Sequence, residues 1–284
     1  MQFSQALSGI QKEIDKEIAG FFNRKIKEAT AVLEKEVLDW LREYSLRKAK
    51  RIRAILVNYG YRLAGGKNQK AIFKTSIFIE LIHNYLLIHD DIIDKDKMRR
   101  GRKTLHVLHG SDMAIVIGDM ASAMGYEILS CAPFPAKNKV LALAKLNETL
   151  YSTGYGQMLD LFLREKMKSG KKASASEVLT MYKRKTAFYT IVAPLQIGAI
   201  LAGAGQSFLE KIEKFALPLG IAFQIRDDLQ DGDIDKIFCF SRQKYQKMQE
   251  KLIAIAQKRL KEERIFPRRG KELLLSLAEQ LKQK

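Results

Sequence analysis

Residues 80–94 of the 284-residue chain read ELIHNYLLIHDDIID, an apolar helix-forming run that ends in three aspartates. Residues 223–231 read FQIRDDLQD and end in the same pattern. Residues four apart share one face of a helix, so each run presents two carboxylates together. Two such faces pointing at one another would repel unless cations lay between them. Mg²⁺ binds carboxylate oxygens and usually brings substrate phosphates with it, so the pattern predicts an enzyme that acts on diphosphates.

Composition and patterning predict a single all-α domain. The chain is 46% hydrophobic and contains only 5 prolines, which favours helices around one sizeable core. No β-hairpin signature and no alternating strand–helix pattern is evident. We predict helices over residues 3–44 (one or two), 47–64, 69–94, 111–131, 137–167, 176–203 and 207–231, with capping boxes at Ser174–Glu177 and Ser207–Glu210. The domain should span residues 1–284, enclose a cavity between helices, and end in a basic helical tail from about residue 236.

The net charge of +18 suggests a nucleic-acid-binding protein as one possible class. Residues 236–284 carry 14 Lys or Arg and 5 Asp or Glu, so much of the excess lies in the tail. We interpret the tail as a solvated helix face, or as a surface that contacts anionic membrane. No zinc-finger spacing or aromatic-interleaved basic motif supports nucleic acid. The two cysteines form no disulfide or metal framework and no signal peptide is evident, so we expect a cytoplasmic protein.

Further motifs surround the two aspartate runs. They are, in chain order, Lys50-Arg51-Ile52-Arg53, Arg99-Arg100-Gly101, Gly156-Gln157-x-x-Asp160, Lys185-Thr186 and Phe223-Gln224. In this order and spacing, residues 45–235 or so resemble the trans-isoprenyl diphosphate synthases, or polyprenyl synthetases. The resemblance implies a bundle of antiparallel helices around a deep cavity, usually a homodimer. It also implies a Mg²⁺-dependent, head-to-tail condensation of isopentenyl diphosphate with an allylic diphosphate.

The same resemblance assigns roles to single residues. The implied ligands of three Mg²⁺ ions are Asp90, Asp91, Asp94, Asp227, Asp228 and Asp231, of which Asp90, Asp94 and Asp227 contact the metal directly. The allylic diphosphate is gripped by Arg99 and Lys185. The diphosphate of isopentenyl diphosphate is held by Lys50, Arg53, His83 and Arg100. The region near the metals and the allylic tail is lined by Gln157, Asp160, Thr186 and Gln224. Pyrophosphate takes up the proton in the family, so no protein base is assigned.

Several of these residues have a purely structural alternative. His83, on an apolar helix, could be a buried core histidine. Arg99 and Arg100 could neutralise the nearby aspartates, and could do so whenever substrate is absent. The family often has Gly-Gly where this chain has Lys48-Ala49, so the preceding loop could be the start of a continuous helix. After Asp231 the chain lacks the lysine-containing stretch that usually closes the site, and we consider Lys236 or Arg242 as its replacement.

Product length should depend on the helix of the first aspartate run. Tyr85 lies five residues before Asp90, where a bulky aromatic residue in the family acts as a floor under the growing chain. With Leu86 beside it, this resembles the geranylgeranyl type, which makes a twenty-carbon product. Tyr85 could instead simply pack in the core. The alternatives are a fifteen-carbon farnesyl diphosphate synthase, a terpene synthase, or a poorly active partner subunit on the same fold.

Overall fold

The computed structural model describes residues 2–231 and 240–281, without the side chains of residues 2–7, 231 and 269. These ranges are almost entirely helical, and the predicted all-α class is confirmed. The chain divides into two compact units. Unit 1 comprises Met1–Asn58 and Asn68–Lys139, and unit 2 comprises Tyr59–Lys67 and Val140–Lys284.

Unit 1 carries the first aspartate run. Its elements are α1 (Gln2–Glu28), α2 (Val32–Leu46), the first part of α3 (Ile52–Leu63), α4 (Gln69–Ser76), α5 (Phe78–Ile93), β1 (Met98–Arg99), β2 (Arg102–Lys103), α6 (Leu105–His109) and α7 (Ser111–Ser130). The helix α5 packs along α7, and α1 packs along α2. Phe78, Leu81 and Ile82 of α5 are fully buried, which fixes the orientation of the helix that ends in the aspartates.

Unit 2 carries the second aspartate run. Its elements are the end of α3, most of α8 (Ala136–Lys168), α9 (Ala175–Met181), the π-helix π1 (Tyr182–Val192), α10 (Ala193–Leu201), α11 (Gln206–Asp231), α12 (Arg242–Glu262) and α13 (Arg268–Gln280). The helix α11 packs against both π1 and α12. The basic tail is therefore built into this unit through the inner face of α12, on which Tyr245 and Ile253 are buried.

The basic stretch after the first aspartates forms a small β-hairpin, so the expectation of no hairpin is wrong. Met98 pairs with Lys103, and Arg99 pairs with Arg102. The two turn residues, Arg100 and Gly101, both have positive φ, at 54° and 77°. A two-residue turn of this kind normally takes Asn-Gly or Gly-Gly, which is why the Arg-Gly pair gave no hairpin signal.

Several helix boundaries differ from the predictions. The predicted helix 69–94 is divided at Ile77, and its first part is capped by Asn68, whose side chain accepts a hydrogen bond from the Ala71 amide. The helix predicted from residue 47 begins only at Ile52, because Arg51 has a positive φ of 52°. The capping box at Ser174–Glu177 is present. The one at Ser207 is not, because α11 already begins at Gln206.

The π-helix π1 interrupts the helix predicted over residues 176–203. Two glycines allow neighbouring helices to approach it. A Cβ on Gly156 of α8 would lie 2.3 Å from the Lys185 amide nitrogen, and a Cβ on Gly220 of α11 would lie 2.7 Å from Cα of Ala187. Both distances are far below van der Waals contact, so the backbone of π1 packs directly onto both helices.

Two described helical stretches are apolar and long enough to cross a membrane by length and composition alone. They are Gln69–Ile93 and Ser111–Ser130. In the first, 67% of the most apolar window is buried inside the fold, as expected for the core helix of a globular protein. This finding is weak evidence for a membrane span.

Candidate active site

The first aspartate run keeps its helical geometry to the last carboxylate. The Asp94 amide donates to the Asp90 carbonyl at 2.8 Å, so these two residues share one face at the end of α5. Asp90 is half-buried and Asp94 is exposed. This is the predicted pair of neighbouring carboxylates.

Asp91 lies on another face and is buried, with 1% of its surface exposed. Its carboxylate accepts hydrogen bonds from the Tyr44 hydroxyl at 3.1 Å and from Arg99 Nε at 2.7 Å. Burial raises the pKa of the Tyr44 hydroxyl, and the Asp91 charge raises it further, so the phenol remains a donor. Both oxygens of Asp91 are thus occupied by protein donors in this arrangement. Its indirect role toward a metal stays a prediction.

Arg99 connects Asp91 to the hairpin. It also contacts Asp96, at 2.9 Å. Although burial opposes it, the hydrogen bond to Asp91 raises the pKa of Arg99. Arg99, which is predicted to bind the allylic diphosphate, thus contacts two aspartates in this structure. This is the arrangement that the alternative interpretation gives for a protein without substrate.

A cluster of basic side chains lies in unit 1, close enough to Arg99 for the charge of Arg99 to affect His83. Arg53 Nη1 is 3.1 Å from His83 Nε2, and the charges of Arg100 and Arg51 are close enough to affect His83. Burial, then Arg53 and Arg100, lowers the pKa of His83 well below its usual value. Arg51 is neutralised by Asp15 at 2.7 Å and by Glu80 at 3.4 Å. Lys50, which directly precedes Arg51 in the chain, is exposed.

Arg100 is the most constrained member of this cluster. Its backbone is held in the left-handed region by the hairpin, a conformation that non-glycine residues adopt at a cost and that recurs at functional sites. Its Nη1 atom is buried and donates no hydrogen bond to the described residues. Burial, then repulsion by Arg51, lowers the pKa of Arg100. An anion with several oxygens, such as a diphosphate, would satisfy this donor and relieve the repulsion.

Within the second aspartate run, Asp228 accepts hydrogen bonds from two neutral side chains. Asp228 is 6% exposed and accepts a hydrogen bond from the Tyr182 hydroxyl and one of 2.6 Å from Gln224 Nε2. The Thr186 hydroxyl donates to Gln224 Oε1, which fixes the orientation of that amide. Asp227 is half-buried, with Arg226 at 3.0 Å. Asp231 is the last residue of α11, and its side chain lies outside the described set.

Lys185 is positioned by π1 and by α8. Its Nζ donates to the buried Asp160 at 2.6 Å, and Asp160 also accepts from Arg164 at 2.8 Å. Gln157, one turn earlier on α8, has a buried Nε2 without a hydrogen-bond partner among the described residues. Unit 2 thus brings together Asp160, Lys185, Thr186, Gln224 and the second aspartates as two hydrogen-bonded groups.

Tyr85 lies on α5 on the face that meets α7. Its ring contacts the His89 ring edge-on, with centroids 4.7 Å apart. His89 Nε2 lies 3.3 Å from the Ile115 carbonyl, against Gly118, where a side chain would collide with the imidazole. Tyr126 of α7 interacts electrostatically with Tyr85, and its pKa is raised by burial and then by that neighbour. Leu86 is half-buried beside Tyr85.

The proposed replacements for the missing lysine have different outcomes. Lys236 and the rest of residues 232–239 lie outside the described part of the chain. Arg242 donates through Nη2 to the Leu229 carbonyl at 3.0 Å, so it caps a carbonyl near the end of α11.

Two tyrosines escaped the sequence analysis. Tyr44 and Tyr182 are 47 and 46 positions from the aspartates that they contact. Each is a buried residue of a helix that also carries charged side chains, and such a tyrosine is ordinarily a core residue. A buried phenol needs a hydrogen-bond partner, and this general rule is the signal by which both tyrosines could have been recognised.

The donor set fits magnesium. Among the described residues no group of three His, Cys, Asp or Glu side chains forms a ready-made metal site. Mg²⁺ does not require one, because it usually takes one or two carboxylates and completes its octahedron with water and substrate phosphates. The pair Asp90 and Asp94 provides such carboxylates.

The fold and these side chains define an α-helical protein of the isoprenoid synthase type, with aspartates at two helix ends and a basic cluster in unit 1. The polyprenyl synthetase family model matches residues 34–236, and the chain belongs to this family. Members of the family generally depend on Mg²⁺.

Individual relatives agree with this family. A geranylgeranyl pyrophosphate synthase of Geoglobus acetivorans is 37% identical over 220 residues, which cover 77% of this chain and 67% of that protein. A geranylgeranyl diphosphate synthase of Methanosarcina mazei is 34% identical over 168 residues, which cover 59% of this chain and 50% of that protein. The matched part thus spans half to two thirds of these relatives. The solved structure of the geranylgeranyl pyrophosphate synthetase from Geoglobus acetivorans has a TM-score of 0.81, with 26% identity, and covers 96% of this chain and 99% of that one.

Proposed function

We propose that the chain is a Mg²⁺-dependent prenyltransferase that condenses isopentenyl diphosphate with an allylic diphosphate to give geranylgeranyl diphosphate. The observation that carries the proposal is the basic cluster of Arg53, His83 and Arg100 in unit 1. It offers a second diphosphate site in addition to the aspartates. A terpene synthase ionises one diphosphate and has no use for a second site, so the cluster favours a synthase.

The residues of the chain divide the work of the reaction. Asp90, Asp94 and Asp227 would hold up to three Mg²⁺ ions, with Asp91, Asp228 and Asp231 acting through water or their neighbours. When bound, Mg²⁺ stabilises the negative charge that develops on the departing diphosphate. Arg99 and Lys185 would leave Asp91 and Asp160 to bind the same diphosphate.

The other substrate is held and shielded separately. Lys50, Arg53, His83 and Arg100 would orient isopentenyl diphosphate for attack on the allylic carbon. Gln157, Thr186 and Gln224 would line the path of the allylic group, and apolar neighbours would keep water from the carbocation. Tyr85 and Leu86 would limit the product to twenty carbons. The farnesyl product remains the alternative, because Leu86 is of medium size.

We propose that the chain acts as a single domain, because the family model extends over residues of both units. We also propose a homodimer in the cytoplasm. Four large apolar side chains, 47% to 78% exposed, recur at helical spacing on α8: Tyr151, Tyr155, Met158 and Phe162. A second copy would cover them, and light scattering should give twice the mass of the chain.

The positive charge of the C-terminal tail supports a further proposal, that the tail contacts anionic membrane. One face of α12 presents exposed lysines at helical spacing: Lys244, Lys247, Lys251, Lys258 and Lys261. Ile265, 49% exposed, follows between Arg264 and Arg268. Co-sedimentation with vesicles that contain anionic lipid, but not with neutral vesicles, is expected; equal recovery with both would leave this face as a solvated surface.

The decisive experiment supplies Mg²⁺, isopentenyl diphosphate and each allylic primer of five, ten and fifteen carbons. Product length is then measured by chromatography. A twenty-carbon diphosphate is expected. Ionised primer without condensation would favour a terpene synthase, and no product from any primer would favour a partner subunit.

A further inference from the structure

The hairpin that carries Arg99 and Arg100 is attached to the end of α2 by one carboxylate. Glu43 of α2 accepts a hydrogen bond of 2.5 Å from Nη1 of Arg102 on β2. It also accepts two from Arg47, of 2.7 Å from Nη2 and 3.1 Å from Nε. Arg47 in turn donates through Nη1 to the Arg99 carbonyl on β1, at 3.3 Å. Glu43 thus reaches both strands of the hairpin, one directly and one through Arg47.

Arg47 depends on Glu43 for its position. It is 5% exposed, and its guanidinium lies over the Tyr44 ring, 4.8 Å from the centroid. An unpaired charge inside the fold is costly, so this guanidinium needs a carboxylate. Although burial opposes the change, the hydrogen bonds from Arg47 hold the pKa of Glu43 below its ordinary value, and the partner stays ionised. Without Glu43, Arg47 would have to turn toward water and would release the Arg99 carbonyl.

The hairpin needs such an attachment. Each of its strands pairs only two residues with the other, and a two-stranded hairpin of this size is not stable alone. The side chain of Arg99 also attaches it to Asp91. That contact would be lost in the proposed reaction, in which Arg99 leaves Asp91 for the allylic diphosphate. The contacts of Glu43 involve the Arg99 carbonyl and the Arg102 side chain, so they can persist when the Arg99 side chain turns.

The position of the hairpin determines the position of Arg100. Arg100 is a turn residue between the two attached strands and has a positive φ of 54°. Its buried Nη1 donates no hydrogen bond to the described residues, and a shift of the strands would move this donor with them. Misplacement of a binding group by about 1 Å is enough to weaken its action greatly.

We propose that Glu43 is a positioning residue for Arg100, acting through Arg47 and Arg102 on the two strands of the hairpin. The inference rests on the proposed function of Arg100, the binding of isopentenyl diphosphate. It has a distinctive sign. Removal of a negative charge beside an anion site should strengthen the binding of the anion if charge alone matters. A positioning role predicts the opposite, that binding becomes weaker.

The test compares two carboxylates of α2. Glu43→Gln removes the charge and keeps the shape of the side chain. Asp39→Asn is the matched control, because Asp39 pairs with Arg42 and no described contact of either residue involves the hairpin. Glu43→Asp is a second variant that keeps a charge for Arg47, in case Glu43→Gln does not fold. Its carboxylate is one methylene shorter and should not reach both arginines.

Three measurements are made on each variant. Titration calorimetry gives the affinity for isopentenyl diphosphate, and steady-state kinetics separate KM for this substrate from kcat. Trypsin cleavage after Arg99 and Arg100 in the native protein reports how often the hairpin opens. The kinetic measurements are repeated in the Arg100→Gly background.

The expected result for Glu43→Gln is binding that is about three- to tenfold weaker, with KM raised by a similar factor. Glu43→Asp should raise KM by about two- to threefold, and Asp39→Asn should leave it unchanged. The value of kcat should fall less than KM rises, because Arg100 contacts a group that does not react. Trypsin should cleave the hairpin of Glu43→Gln faster. In the Arg100→Gly background, Glu43→Gln should raise KM no further, because the side chain that it positions is gone.

Three results would overturn the inference. Unchanged or tighter binding of isopentenyl diphosphate by Glu43→Gln and Glu43→Asp would reduce Glu43 to a local ion pair. A further rise in KM in the Arg100→Gly background would show that Glu43 does not act through Arg100. A wild-type protein that does not bind isopentenyl diphosphate would contradict the proposed function itself. Faster trypsin cleavage of Glu43→Gln would then show that Glu43 holds the hairpin although the substrate site is absent.

Discussion

The hydroxyl of Tyr44 lies 3.1 Å from a carboxylate oxygen of Asp91, and both residues are buried. Asp228 stands in the same relation to Tyr182 in the second run. The two carboxylates also accept from different second groups, Asp91 from the charged Arg99 and Asp228 from the neutral amide of Gln224. If Arg99 turns to the substrate, Tyr44 keeps Asp91 oriented.

Removal of one direct metal ligand should stop the reaction. Asp90→Asn and Asp227→Asn keep the shape of the side chain and remove its charge, and each should lower kcat by about a hundredfold or more. Asp112→Asn, an exposed aspartate in the first turn of α7, is the control. Radiolabelled product formation under saturating Mg²⁺ measures the effect. Full activity of either variant would remove that residue from the ligand set.

The size of Tyr85 should determine product length. Tyr85→Ala opens the space beside His89 and Tyr126 and should give products longer than twenty carbons. Tyr85→Phe keeps the ring and should leave the product unchanged. Reversed-phase chromatography of the hydrolysed products distinguishes the lengths. An unchanged distribution for Tyr85→Ala would mean that the ring merely packs against α7.

Arg100 should lower the stability of the fold through its strained backbone and strengthen substrate binding through its side chain. Arg100→Gly relieves a positive φ, and the free energy of unfolding should stay level or rise by about 1 kcal/mol. KM for isopentenyl diphosphate should rise about tenfold or more, because a charged donor is lost. Lys95→Gly, at an exposed position with φ of 56°, should match the stability change without the change in KM. Equal KM values for both variants would exclude Arg100 from the diphosphate site.

Two glycines on α8 provide a test of the packing against π1. Gly156→Ala places a methyl group against the Lys185 backbone and should lower the free energy of unfolding by about 1–3 kcal/mol. Gly154→Ala meets nothing within 4 Å and should raise it by about 0.5–1 kcal/mol. Urea denaturation measures both. Gly156→Ala should also weaken the binding of the allylic diphosphate, because Lys185 moves with its backbone. An unchanged KM for this substrate would show that the loss of stability does not affect its binding.

His83 should make stability depend on pH. Its pKa in the folded protein lies well below the ordinary value of 6.5, so below that pH the unfolded chain binds a proton that the folded chain does not. Stability is therefore complete above about pH 6.5 and decreases below it, by at most about 1.4 kcal/mol per pH unit. His83→Gln should remove this component. The prediction would be contradicted if the free energies of unfolding of the wild type and of His83→Gln differed by the same amount at every pH.

The all-α class could be predicted because apolar periodicity is a local property of each helix. The residues of the candidate site could be proposed only through the resemblance to a family, which short motifs such as Lys185-Thr186 carry. The hairpin at Arg100 could not be predicted, because its turn lacks the residues that usually signal one. The contacts of Tyr44 and Tyr182 join positions far apart in sequence, and no local pattern reports such a pair.

The π-helix has a consequence for insertions and deletions. Its i→i+5 hydrogen bonds accommodate a residue more than an α-helix would, so one residue could be deleted between Tyr182 and Val192 without breaking the helical backbone. Such a deletion would return the segment to an α-helix and leave the flanking helices on their present faces, but the side chains of the wide turn itself would change direction. Lys185 lies in this turn and would lose its direction toward Asp160. A change of chain length in this segment should therefore affect the position of Lys185 more than the helices on either side.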